Sequence, residues 1–209
     1  LSGEGGKAFS AGADISQFET QRGSADAIEV YNSALKLACR KLTDVPKPTI
    51  AAIGGYCIGG GLVIALCCDL RMASDDSQFA IPAARLGLGY GYDSLKSLVD
   101  VVGPANAKEI LFTARRFNAA EAYDMGLINR VVTRDGLDGF VNECARTIAG
   151  NAPRTIKACK RIIAEICKDP EDRDLGLCKR LVYDCFISED YKEGRRAFME
   201  KRRPDFRGK

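Results

Sequence analysis

A chain of 209 residues has room for one substantial core, or a core with a satellite, but not for two ordinary domains of full size. Hydrophobic residues make up 46% and charged residues 28%, a globular balance that excludes wholesale disorder. Histidine is absent, which removes every mechanism built on an imidazole base and most zinc sites, and a net charge of +3 is weak support for a polyanionic partner.

Residues 1–6 read as the end of a strand entering a loop. Residues 25–42 carry Ile28, Tyr31, Leu35, Ala38 and Leu42 at helical spacing, and the helix they predict stops before Pro46. Pro46 and Pro48 bias the chain to extended geometry leading into a strand at 49–53. Residues 49–68 run for twenty positions without a charge, long enough for a membrane span. Gly54, Gly55, Gly59, Gly60 and Gly61 would spoil such a helix, so the expected division is a buried strand, a glycine-rich turn and a helix over 59–68, with no membrane span.

Short strands are expected at 70–73 and 78–81, then a glycine-rich loop at 87–91 and a helix at 94–102, with Pro104 in the first turn of the next one. Asn118 caps a helix over 119–125 that Gly126 ends, and 127–132 is the last expected strand. From Leu137 the pattern is helical, broken at 150–153, at 169–170 and at Ser188. The whole predicts an α/β body over 1–136 followed by a helical region over 137–209.

Nine cysteines are present, an odd number with no C-x-x-C spacing, which disfavours a zinc ribbon or a thioredoxin-type motif. They are expected to be buried, reduced thiols serving as small hydrophobes in a cytosol-like compartment. The first residue is Leu1 rather than Met, so the natural start is expected upstream and organellar addresses stay open. The terminal Arg207-Gly208-Lys209 is not the S-K-L peroxisomal signal.

Two glycine-containing turns carry the strongest chemical signal: Phe9-Ser10-Ala11-Gly12-Ala13-Asp14 and Gly55-Tyr56-Cys57-Ile58-Gly59-Gly60-Gly61. Glycine lets a backbone expose its N–H groups, and two such groups converging on one carbonyl oxygen make an oxyanion hole. Composition alone also fits a tight strand-to-helix turn. Neither G-x-G-x-x-G nor the phosphate loop with its lysine occurs.

The stretches F-S-A-G-A-D-I, K-P-T-I-A-A-I-G-G-Y-C-I-G-G-G, C-D-L-R-M-A and E-G-R-R-A-F-M-E-K-R-R-P follow in order, and from about Phe9 to its end the chain resembles the crotonase (enoyl-CoA hydratase/isomerase) superfamily. The resemblance implies a ββα spiral, a C-terminal helical trimerisation region, and a homotrimer or a dimer of trimers. It implies an acyl-CoA substrate, with no cofactor beyond that coenzyme A and no metal. It puts the oxyanion hole on the N–H groups of Ala13 and Gly60, with Gly59 among the substrate contacts, and lines the coenzyme channel with Ala11, Asp14 and Ile15. Phe198 and Lys201 match positions that touch the nucleotide end of a coenzyme bound to a neighbouring subunit; an ordinary amphipathic helix is the structural alternative.

Hydratases of the family carry two glutamates that handle water, and the matching positions here are Val63 and Ala83. Neither side chain moves a proton, so ordinary hydration is not expected, and Ala83 also counts against the common isomerase mechanism. The segment Leu86-Gly87-Leu88-Gly89-Tyr90-Gly91-Tyr92-Asp93 occupies the stretch that usually faces the acyl group. Asp93 would act as a general base if burial raised its pKa, or as N-cap of the helix at 94–102; Tyr90 or Tyr92 would orient a carboxylate or donate a proton. The spacing from Phe79 to Tyr90 resembles the acyl-CoA decarboxylase branch, where a tyrosine helps hold the substrate carboxylate. Decarboxylase, isomerase and other lyase reactions stay open, beside a catalytically silent coenzyme-binding or assembly subunit.

Asp69 and Arg71 read as structural. Between 195 and 209, seven basic residues face only Glu200 and Asp205; one branch of the superfamily binds RNA, but coenzyme phosphates or a solvated helix end are simpler, and RNA is not expected. Family members usually have a strand–helix–strand segment before the first loop, so that segment is expected to be missing. The expected location is cytoplasmic.

Overall fold

A computed structural model describes residues 1–14, 16 and 23–209. These residues form two compact units, one of Leu1–Val45 with Thr49–Val141 and one of Pro46–Pro48 with Asn142–Lys209.

The first unit is built from very short strands. Strand β1 (Ala8–Ser10) precedes helix α1 (Ala25–Thr43), which Ser24 caps by accepting the Ala27 N–H. Strand β2 (Ile50–Ile53) follows the two prolines, with three of its four residues buried. Gly55, at φ 70° and with room for no Cβ beside the Lys7 carbonyl, then turns the chain into β3 (Tyr56–Ile58). Helix α2 (Gly60–Leu66) leads to β4 (Leu70–Ser74), β5 (Gln78–Ala80) and a 3₁₀ turn at Pro82–Leu86. Helix α3 (Tyr92–Thr113), β6 (Phe117–Asn118), α4 (Ala119–Asp124) and β7 (Arg130–Val132) complete the alternation.

Two sheets result among the described residues, one ordered β1-β3-β5-β6 and one ordered β2-β4-β7, parallel throughout except for the β5–β6 pair. Each ββα turn delivers one strand to each sheet. Ile50 lies beside Leu70 in one sheet and Tyr56 beside Gln78 in the other, so one turn of the spiral takes about twenty residues. The apolar side chains of both sheets meet around Ile53, Leu62, Phe79, Leu98, Ile110 and Phe117, all of them fully buried. The α/β class and the ββα spiral are therefore as expected.

Several local readings are corrected. Residues 56–58 form a strand rather than part of a turn, and β1 and β6 were not legible at all; each is two or three residues long and exists through partners far along the chain. The last strand is only Arg130–Val132. Helix α3 begins at Tyr92 with Gly91 as its N-cap, so Asp93 lies in the first turn and does not cap. The division expected before Pro104 is present: Gly103, at φ 75° and ψ 165°, breaks α3 into two helical stretches there. Cys159 and Cys167 are exposed, contrary to the expectation of buried thiols, while Cys57 and Cys68 are buried; none of the nine cysteines forms a disulfide.

Local signals elsewhere agree with the structure. Asn118 and Glu121 form a reciprocal capping box on α4. The Asp69 carboxylate accepts from the Thr49 N–H and hydroxyl, at 2.7 and 2.9 Å. Buried Arg71 donates to the carbonyls of Leu127 and Cys68, both at 2.8 Å. Both side chains tie strand ends together, which is the structural role expected of them.

The second unit holds most of α5 (Leu137–Ala149) together with α6 (Pro153–Ile166), α7 (Leu175–Phe186) and α8 (Glu189–Met199). Buried Asp190 accepts the N–H groups of Arg207 and Gly208, both at 2.8 Å, and so holds the C-terminal tail against α8. Arg202 grips Glu193 through two nitrogens, at 2.6 and 2.9 Å, and the Asp205 N–H adds a third bond. The Arg202 guanidinium and that backbone donor hold the Glu193 carboxyl down to about 2. Its folded pKa lies below the unfolded value of roughly 4.3, so its stabilisation is complete above roughly pH 5 and lost as the pH falls toward 2. In acid melts the wild type is expected to lose more melting temperature between pH 5 and pH 2 than Glu193→Gln, and parallel curves would refute the linkage.

Candidate active site

Both glycine turns end at the same place. Gly12 adopts φ 91°, and a Cβ on it would stand 2.9 Å from the Ile58 carbonyl oxygen and 3.3 Å from the Gly60 nitrogen. Gly59, at φ 55° and ψ −119°, precedes α2; its N–H donates to the Ala80 carbonyl at 2.8 Å, and its carbonyl accepts from Leu62 and Val63. A Cβ on Gly61 would lie 2.4 Å from the Ser10 carbonyl oxygen, so α2 packs on the end of β1 only because that residue has no side chain.

This packing sets two amides side by side. A Cβ built on Gly60 would stand 3.8 Å from the Ala13 nitrogen. Neither the Ala13 N–H nor the Gly60 N–H donates to another described residue. The reason at Gly60 is general: a first-turn helix amide has no intrahelical acceptor.

The pair opens into a cavity of about 580 Å³, a volume suited to a small organic ligand. Ala11, Ala13, Gly59 and Gly60 line one side. Val63, 4% exposed, and Ala83, 7% exposed, contribute apolar wall, joined by Leu86 and Leu88. Tyr90 is half-buried against the core, and its hydroxyl lies 3.8 Å from where a Cβ on Gly59 would be. The phenol therefore stands next to the amide pair.

Asp93 lines the same cavity on its open side. Its carboxylate pairs with Lys36 Nζ at 2.8 Å and is 64% exposed, so it is not the buried carboxylate expected of a general base. Such an exposed pair contributes little to stability, but it joins α1 to the start of α3.

The sequence pattern of the enoyl-CoA hydratase/isomerase family matches residues 1–209. The chain belongs to that family. It is 36% identical over 205 residues to a short-chain-enoyl-CoA hydratase of Clostridium acetobutylicum, covering 97% of this chain and 77% of the relative. It is 34% identical over 206 residues to a crotonyl-CoA hydratase of Syntrophomonas wolfei, covering 99% and 78%. Among solved structures, an enoyl-CoA hydratase/carnithine racemase from Magnetospirillum magneticum superposes with a TM-score of 0.95 at 37% identity, over 100% of this chain and 78% of that one.

Within the family fold, the other expected site residues are scattered. Asp14 closes a local turn, its carboxylate accepting from the Ser16 N–H at 3.0 Å and hydroxyl at 2.7 Å, and it does not line the cavity. Ile15 lies outside the described residues. Phe198, on α8, is 82% exposed and lines a groove within the helical unit, while Lys201 follows α8 with φ 52°.

Sequence reasoning missed the wall supplied by α1. Tyr31, Leu35 and Cys39 recur every four residues and face the cavity, with Lys36 and Arg40 beside them. The amphipathic spacing of that helix was visible, but not that its apolar stripe covers a cavity; no residue of α1 is fully buried. Among the described residues, no helix is long and apolar enough to cross a membrane, and no group of three or more ligating side chains could hold a metal ion.

Proposed function

We propose that this family member binds an acyl-CoA thioester and stabilises its enolate on the N–H groups of Ala13 and Gly60, and that its reaction is not conventional hydration. The observation that carries the reading is the pair of free, adjacent amides in a pocket whose wall includes the apolar Val63, Ala83, Leu86 and Leu88. In such a pocket the thioester oxygen gains charge as the enolate forms, and fixed donors cost no reorganisation.

Val63 and Ala83 occupy the positions that the resemblance gives to the two hydratase glutamates, and both lie in the cavity wall. Neither can activate water. A reaction that needs an oxyanion hole and orientation more than a strong base fits this wall. Decarboxylation of a malonyl-type thioester is such a reaction. The bond from Cα to the carboxylate breaks, its electron pair passes into the enolate held by Ala13 and Gly60, carbon dioxide leaves, and solvent water protonates Cα. Tyr90, beside Gly59, is placed to orient the departing carboxylate, whereas Asp93 stands at the open side.

A mass-spectrometric screen over crotonyl-CoA, 3-enoyl-CoAs and methylmalonyl-CoA tests the reading. Loss of carbon dioxide from the malonyl-type substrate, with crotonyl-CoA left unhydrated, is expected. Rapid hydration of crotonyl-CoA would overturn it, and silence on every substrate would favour a non-catalytic binder. On the substrate that turns over, Tyr90→Phe is expected to lower kcat by about 10²-fold with coenzyme binding retained, and Asp93→Asn to lose far less. We propose further that copies of this chain associate as a trimer or a dimer of trimers, an assembly supported by the exposed Phe186, Phe198 and Met199 of the helical unit. Light scattering should then return the mass of three or six chains, and a monomer would refute it.

A further inference from the structure

The wall of the cavity has a direction. Gly60 and Val63 of α2 and its C-cap Cys67 all line it, and steps of three and then four residues put them on one face of that helix. At about 1.5 Å of rise per residue, this face runs about 10 Å from the Gly60 amide to Cys67. It presents no free polar group on the way. Val63 is apolar, and the Cys67 thiol donates to the Val63 carbonyl at 3.2 Å, one turn back, so its proton is engaged and the sulfur is left as polarisable apolar surface. Leu35 and Cys39, four residues apart on α1 and half-buried, add apolar wall to the same cavity.

We propose that this face is an alkyl lane, that the acyl chain of the substrate lies along it from Gly60, and that Cys67 sets its reach at about eight carbons. An extended chain advances about 1.2 Å per bond, so about 10 Å holds an acyl group of that length. Past Cys67 the α2 wall ends. Past Cys39 the α1 wall becomes Thr43 and Asp44, both exposed, with Arg40 pairing to Asp44 at 3.5 Å. Carbons beyond the eighth therefore gain no further apolar cover.

The opposite direction suits an alkyl chain poorly. It leads toward the exposed Lys36–Asp93 pair, where a methylene would displace water from two charged groups without covering itself. The lane rests on the acyl-CoA reading, because it is the thioester oxygen at Gly60 that starts the chain at that end of α2. Given that start, the specificity follows from which side chains flank the helix: the substrate class is a thioester of a medium-length, unbranched, apolar acyl group.

The test is calorimetric binding of free coenzyme A and of acetyl-, butyryl-, hexanoyl-, octanoyl- and dodecanoyl-CoA to the full chain, which needs no turnover. Affinity is expected to rise by about two- to fourfold per methylene as far as octanoyl-CoA and then to level off. In Cys67→Phe the added ring reaches about 4 Å further, so levelling should come about three carbons earlier, with the loss confined to the thioesters that reach position 67. Cys67→Met, whose flexible chain is more easily accommodated, should shift the limit the same way by less, and melting curves show that each variant is folded. The wild-type series decides even if one variant does not fold. Affinity that is flat from acetyl- to octanoyl-CoA, or that keeps rising to dodecanoyl-CoA, would overturn the lane while leaving coenzyme binding in place. The same limit in wild type and both folded variants would overturn the role of Cys67. If neither free coenzyme A nor any of the thioesters binds, the acyl-CoA reading falls and the lane with it.

Discussion

Gly12→Ala is expected to lower kcat/KM by roughly 10²- to 10³-fold while the protein remains folded. Two effects act together at this position. Its φ of 91° is one that a side-chain-bearing residue rarely adopts, and the new methyl would stand 2.9 Å from the Ile58 carbonyl oxygen and 3.3 Å from the Gly60 nitrogen. Neither obstacle is a flexible side chain; both are backbone. The chain must therefore yield where Ala13 and Gly60 approach, and the thioester oxygen loses the geometry of one donor, typically worth about 3 kcal/mol in the transition state. Acyl-CoA binding should fall much less than turnover, because an oxyanion donor acts mainly when charge develops. Steady-state kinetics on the substrate identified in the screen, with calorimetric binding and a melting curve, separate these effects. A folded variant with wild-type turnover would remove the oxyanion assignment.

Phe79→Ala is expected to cost about 3–5 kcal/mol and to lower the melting temperature by roughly 6–20 °C. Phe79 lies in β5, beside Cys57 of β3 on one edge and Phe117 of β6 on the other, and all three are 0% exposed. The side chain thus fills space at the centre of the four-stranded sheet, and neighbours fixed by strand pairing cannot collapse far into the void. Phe112, exposed on α3, serves as control: Phe112→Ala should stay within about 0.5 kcal/mol of wild type. Equal melting shifts for the two variants would contradict this placement of the core.

The helices were legible wherever their signals are local. Asn118 with Glu121 starts α4 and Gly126 follows its end; Pro46 lies beyond α1; Gly103 and Pro104 break α3. Each device acts within about one helical turn, so a short window of residues contains it. The strands β1, β3 and β6 have no such window. Tyr56-Cys57-Ile58 looks like the middle of a glycine turn because its partners are Ala8–Ser10 and Gln78–Ala80, and only their hydrogen bonds and burial make those three residues a strand.

The site divides in the same way. The glycines of both turns, the apolar residues at 63 and 83 and the absence of histidine were written in the residue order; the family resemblance added the expectation of an oxyanion hole on Ala13 and Gly60, with Tyr90 and Asp93 as candidate side chains. Tertiary structure decided the rest. It brought Gly12 against Gly60 through the packing of α2 on β1, and set the Tyr90 hydroxyl beside Gly59. It also paired Asp93 with Lys36 at the open side. The reason is physical: caps, turns and periodicity act over a few residues, whereas the cavity exists only because successive turns of the spiral bury their strands against one another.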